Sequence, residues 1–423
     1  MLQVSYIREN KEKVLERLSL KNFKQPELVD EIISLDEARR QTQVTLDSIS
    51  AEANTAAKQI GDLMRQGKKE EAEAIKTKTS SFKEQIKALG DQLAAIEDEL
   101  SSKVIQLPNL PHTSVPGGVS AEDNEVAYEH GSKPSLNTTA LPHWELALKY
   151  DLIDFELGNK ITGAGFPVYK GKGAKLQRAL INFFLDEAEK AGYREIQPPI
   201  VVNEASGFGT GQLPDKEGQM YHIGIDNLYL IPTAEVPITN LYRDVIVREE
   251  DLPIKNCGYT PCFRREAGSY GAHVRGLNRL HQFDKVELVQ ITHPDNSYPT
   301  LEEMSKYVQS LLQKLELPYR VLRLCGGDMS FTSALTYDME VWCAAQARWL
   351  EVSSVSNFEA FQSNRLKLRF KGKEGKPQLA HTLNGSALAL PRIVASLLEN
   401  NQTDTGIKIP AVLVPYTKFE WID

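Results

Sequence analysis

The chain has little cysteine: Cys257, Cys262, Cys325 and Cys343 are its four, and none forms a CxxC pair. Such sparse use excludes a disulfide framework and a thiolate zinc site, so all four read as reduced, structural thiols. Long apolar runs are missing too. No stretch approaches the roughly 18 apolar residues a membrane span requires. The opening MLQVSYIRENKEKVLERL interleaves charge with hydrophobes and has no small-residue cleavage site after an apolar segment, so the expected address is cytoplasmic. Neither GxxxxGKS/T nor a GxGxxG after a strand occurs, and a nucleotide, if bound, is held by neither common glycine loop. A general excess of basic charge is also absent, the formal net charge being -8.

What is present begins with length. At 423 residues the chain exceeds what one hydrophobic core usually serves, and two or more domains are expected. Composition shifts sharply along it. Pro26 to about Val104 holds one proline, few aromatics and dense Lys, Glu, Gln and Ala. Within it Leu28, Ile32, Leu35, Arg39, Thr42, Leu46, Ile49, Ala53, Ala56, Ile60 and Leu63 step by four and three, the spacing of a coiled-coil seam. A second seam runs Ile75, Thr79, Phe82, Ile86, Leu89, Leu93, Ile96 and Leu100. Between them RQGKKEE, with Gly67, supplies a reversal. Two such helices joined by a short turn pack antiparallel. At 1.5 Å per residue the first seam reaches roughly 54 Å, and residues 1–105 are expected to form a projecting two-helix arm. Near its tip Lys and Arg slightly outnumber Asp and Glu. That is the pattern of a solvated face or, in the right context, of a rail for a polyanion.

The Pro- and Gly-rich QLPNLPHTSVPGGVSAEDN reads as a linker into a second domain, 106–423. There a helix is expected over 173–191, one strand over YREIQPPIVVN, and strands at NLYLIP, DKVELVQI, YRVLRLC and YDMEVWC. Further helices are expected over 301–316 and 392–400. Strands that succeed one another through turns predict an α+β fold, an antiparallel β-sheet core with flanking helices, rather than a doubly wound parallel sheet.

In this frame CFRREAGSY, with Arg264 and Arg265 beside Glu266, sits between two apolar runs. Read in order, FPVYKGKGAKLQRALINFFLD, IPTAEVP, FRREAGSYG, QFDKVE, EVSSVSNFEAFQSNR and HTLNGSALALPR, behind the two-helix arm, resemble the bacterial-type seryl-tRNA synthetases over essentially the whole chain. These are class II aminoacyl-tRNA synthetases. The resemblance implies a homodimer that activates L-serine with ATP and Mg²⁺. The seryl-adenylate then passes its serine to the 3′ end of tRNA(Ser) and, by family analogy, of tRNA(Sec).

That chemistry brings a carboxylate to the α-phosphorus of ATP, so fixed cations are required where charge builds. A guanidinium is a planar, permanently charged fork suited to phosphate. The resemblance accordingly assigns Arg264 to the α-phosphate and the serine carboxylate, and Glu266, two residues on along the same side of a strand, to the adenine amino group. Phe283 offers an aromatic face for adenine, and Arg392 closes over the nucleotide near its γ-phosphate, which makes Arg264, Glu266 and Arg392 the catalytic set. Arg265 and the run Glu351, Val352, Ser353 and Ser354 complete the ATP site. Glu351 and Ser354, as hard oxygen ligands, suit Mg²⁺, and a catalytic zinc is not expected. Thr233, Ala234, Glu235, Glu287, Asn384 and Ser386, with Arg264, form the serine pocket. Which carboxylate meets the ammonium and which the hydroxyl is left open. The chain departs from the general third motif at Ala387, where a glycine is usual, and at Pro391 before Arg392. In the resemblance the arm cradles the long variable arm of the tRNA, with Arg65, Lys68 and Lys69 as phosphate contacts. Two other readings share the core: an amino acid:carrier-protein ligase, against which the seams over 28–100 count, and a nonenzymatic RNA-binding relative, against which the intact Arg264, Glu266, Phe283, Glu351 and Arg392 count.

Overall fold

The computed structural model describes residues 1–215, 218–266 and 275–423. It divides into two compact units, one of residues 1–19 and 23–108, the other of 20–22 and 109–423.

The first unit contains helix α1 (Val4–Glu9), most of α2 (Lys11–Leu20), and then α3 (Glu27–Arg65), α4 (Lys69–Lys78) and α5 (Phe82–Val104). Pro26 precedes α3, with Glu27 and Asp30 in its first turn and Arg65 in its last, an order that suits the helix dipole. Its 39 residues span roughly 58 Å. Every seam position named above is at least partly buried, while the intervening faces are mostly exposed. Gly67, at φ +77, makes the reversal with no Cβ penalty, and α5 returns antiparallel so that Lys103 Nζ meets Glu31 Oε2 at 2.6 Å.

One feature differs from the expectation of two uninterrupted helices. The returning helix breaks at 79–81. There Thr79 Oγ1 donates to the Ile75 carbonyl at 2.9 Å and Ser80 Oγ to that of Thr77 at 2.9 Å, local bonds by which Ser and Thr compete with helix continuation. The seam is not apolar where Arg39 and Thr42 occupy it. Asp36, 1% exposed, is ion-paired there with Arg8 of α1 and, at 2.9 Å, with Arg39. Burial alone would raise this carboxyl, but the Arg39 and Arg8 hydrogen bonds and charges hold it below its ordinary range.

The second unit is built on an eight-stranded sheet. Its strands are β1 (Glu125–His130), β2 (Arg194–Glu195), β3 (Ile254–Phe263), β4 (Gln282–Thr292), β5 (Tyr319–Arg323), β6 (Leu335–Cys343), β7 (Arg348–Glu359) and β8 (His381–Ala389). Their order is β1-β5-β6-β7-β8-β4-β3-β2. Every neighbouring pair is antiparallel except β2 with β3. The central strands β4 and β8 are buried over most of their length, covered by α6 (Gly171–Lys190), α8 (Ser297–Lys314) and α10 (Leu390–Asn400), between which α7 (Glu235–Asn240) and α9 (Phe361–Leu366) complete the chain order. Helix α6 buries Leu176, Leu180, Phe183, Phe184 and Ala188 at spacings of three and four, the stripe a helix lays on a sheet.

The expected single strand over 193–203 is two. Arg194–Glu195 joins the main sheet, whereas Val201–Asn203 pairs with Leu228–Leu230 in a separate three-stranded sheet. Pro198 and Pro199 lie between, and proline has no N–H to continue a ladder.

Removing the buried Asp36 carboxylate takes away the shared ion-pair partner of Arg8, Arg39 and Arg40. Asp36→Ala is expected to lower the protection of the α3 base in amide hydrogen exchange while β4 and β8 exchange as before; unchanged exchange over residues 27–40 would refute this role.

Candidate active site

A cavity of about 440 Å³ opens over one face of the sheet. The pleat explains its lining. Phe283, Lys285 and Glu287 alternate along β4 and line it, as do Asn384 and Ser386 on β8 and Ser354 and Ser356 on β7, since alternate residues of a strand share a face. Registry aligns the rows: Glu287 pairs with Ser386, and Ser356 with Asn384. Val286, Leu288 and Ala387 face the other way, into the core.

Thr233, Glu235, Arg264, Glu266, Phe283, Glu287, Glu351, Val352, Ser353, Ser354, Asn384, Ser386 and Arg392 all line this cavity. Ala234 does not, being fully buried against Ile238 and Val289. Arg265 does not either; it is exposed, and its backbone N–H donates to the Gln219 carbonyl at 2.9 Å. Glu266 reaches the cavity by a different route from the one expected. β3 ends at Phe263, and Glu266 is in the left-handed region at φ 48, so no strand alternation relates it to Arg264. Residues 267–274, the AGSYGAHV of the motif, lie outside the described residues. Arg65, Lys68 and Lys69 belong to the first unit, exposed around the Gly67 turn, with Lys68 paired to Glu71 at 3.3 Å and Arg65 to Asp62 at 3.5 Å.

One end of the cavity is cationic. The Arg264 guanidinium lies over the Phe283 ring, 5.2 Å from its centroid. Arg392 donates from Nε to the Asn278 carbonyl at 3.0 Å and from Nη1 to the Glu351 carbonyl at 2.6 Å. Glu266 is ion-paired with Arg279. The other end holds two buried carboxylates. Glu287 accepts from Thr233 Oγ1 at 3.1 Å and is ion-paired with Lys285. Glu235 accepts from Gln362 Nε2 at 2.7 Å, and Gln362 in turn accepts from Thr382 Oγ1 at 2.7 Å. The Asn384 amide nitrogen is buried beside them and favours the charged form of Glu235.

Sequence reasoning missed Lys285, Asn278, Arg279, Ser356 and Gln362. Lys285 had a signal: it stands midway between Phe283 and Glu287 on a strand of period two. Gln362 had none, because it acts from a short helix behind the wall. The third-motif departures find their place as well. Ala387 points into the core, so its methyl leaves the cavity unchanged, and Pro391 stands in the first turn of α10, where a missing N–H costs nothing.

Comparison with known proteins follows this division. The family model for the seryl-tRNA synthetase N-terminal domain matches residues 1–111, and that for the tRNA synthetase class II core domain (G, H, P, S and T) matches 221–401. The chain is 53% identical over 421 residues to the serine–tRNA ligase of Salinibacter ruber, covering 99% of this chain and 98% of that protein. The chain belongs to the seryl-tRNA synthetase family. It is a class II aminoacyl-tRNA synthetase, an enzyme that activates serine and joins it to tRNA. The serine–tRNA ligase of Chlorobaculum parvum is 46% identical, with complete coverage of both chains. The crystal structure of seryl-tRNA synthetase from Pyrococcus horikoshii, complexed with ATP, superposes with a TM-score of 0.94 at 32% identity, covering 100% of this chain and 99% of that one. Among the described residues no helix of the synthetase is long and apolar enough to cross a membrane.

Burial and then the Glu287 charge push the Glu235 carboxyl from an ordinary 4.5 up to about 7, against the Gln362 amide and Lys285. The folded state therefore holds a proton across that interval which the unfolded chain has released. Stability falls as pH rises through it, and above it the buried charge is a standing cost. Without serine, Glu235→Gln is expected to melt higher than the parent near pH 8, the difference closing toward pH 5; parallel melting curves across the range would rule Glu235 out as the raised group.

Proposed function

We propose that the cavity divides into a nucleotide half and a serine half, with the residue roles the motifs suggest. The observation that carries this is the convergence of two arginines, an aromatic ring and two buried carboxylates, from segments far apart in sequence, on one cavity. ATP is the nucleotide, as in the P. horikoshii structure. Arg264 holds the serine carboxylate and the α-phosphate together, and the adenine ring takes the place over Phe283 that its guanidinium now overlaps. Glu266 accepts from the adenine amino group, and Arg392 lies along the outer phosphates. As the carboxylate oxygen attacks phosphorus and pyrophosphate departs, charge on the phosphate oxygens grows between the Arg264 and Arg392 guanidiniums.

At the other end Glu235 and Glu287 receive the serine ammonium and hydroxyl, with Thr233, Asn384 and Ser386 completing the wall. A site that hydrogen-bonds the hydroxyl leaves buried polar atoms unpaired when alanine or glycine enters, and a closed wall excludes the threonine methyl. Lys285 is the ion-pair partner of Glu287.

The residues fit Mg²⁺ as an ATP-borne ion. Glu351 and Ser354 offer hard oxygens on the cavity wall, and Asp338, opposite Ser354 on β6, has a buried carboxylate oxygen with no partner among the described residues. Bound there, the ion supplies charge neutralisation on the phosphates. Residues 1–105 bind tRNA and 106–423 catalyse, with Arg65, Lys68 and Lys69 contacting the tRNA backbone and tRNA(Ser) and tRNA(Sec) as acceptors. The enzyme works as a cytoplasmic homodimer.

ATP–pyrophosphate exchange without tRNA, each amino acid supplied in turn, tests the pocket. Serine alone is expected to support it; exchange with alanine or glycine in its place would sink the pocket assignment. Arg264→Ala should lower the exchange rate by about 10²–10³. For the tip, replacing Arg65, Lys68 and Lys69 together by Ala is expected to raise KM for tRNA at least about tenfold, with exchange untouched, and to flatten the salt dependence of charging. A triple variant that charges tRNA like the parent would remove these contacts from the account.

A further inference from the structure

Behind the nucleotide end of the cavity is a cluster of fully buried polar groups, His143, Cys343 and Glu399, whose ligand atoms lie within 4.8 Å of one another. Spacing alone would admit a metal, but their polar atoms are already engaged. Glu399 accepts from His143 Nδ1 at 2.8 Å, from the His143 backbone at 2.9 Å, from the Ala345 and Gln346 backbones at 3.0 and 3.1 Å, and from Gln346 Nε2 at 2.8 Å. Cys343 Sγ accepts from Gln346 Nε2 at 3.3 Å, and burial pushes its thiol up, away from the thiolate a metal needs.

The free face of the imidazole is turned toward the active site. His143 Nε2 accepts the Leu277 N–H at 2.9 Å, so the proton is on Nδ1, directed at Glu399. Residues 275–278 are the limb by which the loop after β3 returns to β4, and they are held at four points. Arg275 lies 4.9 Å over the Trp144 ring. Gly276 runs so close to the histidine, at φ +67, that a Cβ there would sit 2.3 Å from Nε2. Leu277 bonds to His143. Asn278 Nδ2 donates to Gln346 Oε1 at 2.8 Å, and its carbonyl receives Arg392 Nε. Arg392 and Glu399 are on one helix, α10. That helix therefore grips the limb twice, directly through Arg392 and, two turns later, through Glu399 and His143.

We propose that His143 is a positioning residue for ATP: by fixing Leu277 and Asn278, it holds the carbonyl that orients Arg392. This rests on the assignment of Arg392 to the nucleotide. Among the described residues none of the serine half bonds to the cluster, so the two substrates should respond differently.

The test is ATP–pyrophosphate exchange by His143→Phe, His143→Gln and Arg392→Ala, varying ATP and serine separately. The Phe variant loses the acceptor for Leu277. Its KM for ATP is expected to rise about tenfold, the factor for one buried hydrogen bond, with KM for serine within about twofold. The Gln variant, which keeps an acceptor and a donor, should recover most of the loss. A folded Phe variant with unchanged KM for ATP, an equal rise in both KM values, or no recovery by Gln would overturn the proposal. Arg392→Ala separates the two layers: if it leaves KM for ATP unchanged, the nucleotide assignment of Arg392 fails, whereas a rise there without one in His143→Phe condemns only the positioning role. Should His143→Phe not accumulate as folded protein, Gly276→Ala, which forces the limb off the imidazole, is judged by the same split.

Discussion

Two carboxylates buried in one cavity set the terms for the catalytic unit. Glu235 and Glu287 repel each other in a medium that screens poorly, and neither can be left without compensation. The surroundings supply it in graded form: a lysine on the same strand face as Glu287, hydroxyls from Thr233 and Ser386, and an amide from Gln362 that is itself fixed by Thr382. Glu287 is ion-paired with Lys285, while burial and then the Glu287 charge favour the protonated form of Glu235. The antiparallel sheet sets part of this arrangement, since registry places Ser386 against Glu287 and the pleat puts Lys285 on the same face.

Much of this was legible in the sequence where short-range order governs. Phe283, Lys285 and Glu287 occur at alternate positions of an apolar run, so once Phe283 and Glu287 were placed on one face Lys285 had to accompany them. The seams over 28–100 likewise dictated paired helices. Motifs in order marked most of the cavity lining before any geometry was known. Ala234 and Arg265 were carried along by their neighbours in TAE and FRRE, and neither lines the cavity: Ala234 stands at the start of α7 and is buried, and Arg265 lies beyond the end of β3.

What was not legible depended on contacts between distant segments or on competition within one turn. His143 and Glu399 are 256 positions apart, and nothing in either local sequence announces the other. Nothing in the local sequence of Asp36 announces Arg8, which reaches it from α1. The break at 79–81 hides inside a seam that keeps its period across Thr79 and Phe82, since hydrophobic spacing records which face is covered and says little about whether hydroxyls unwind the backbone beneath.

That break divides the paired helices unequally. On the far side of it α4 is a ten-residue helix, below the length at which an isolated helix holds its shape in water, and it lies next to the Gly67 turn. On the near side α5 runs for 23 residues against the base of α3. The shorter helical segment therefore coincides with the lysine-rich end of the paired helices, while the longer one pairs with the base of α3.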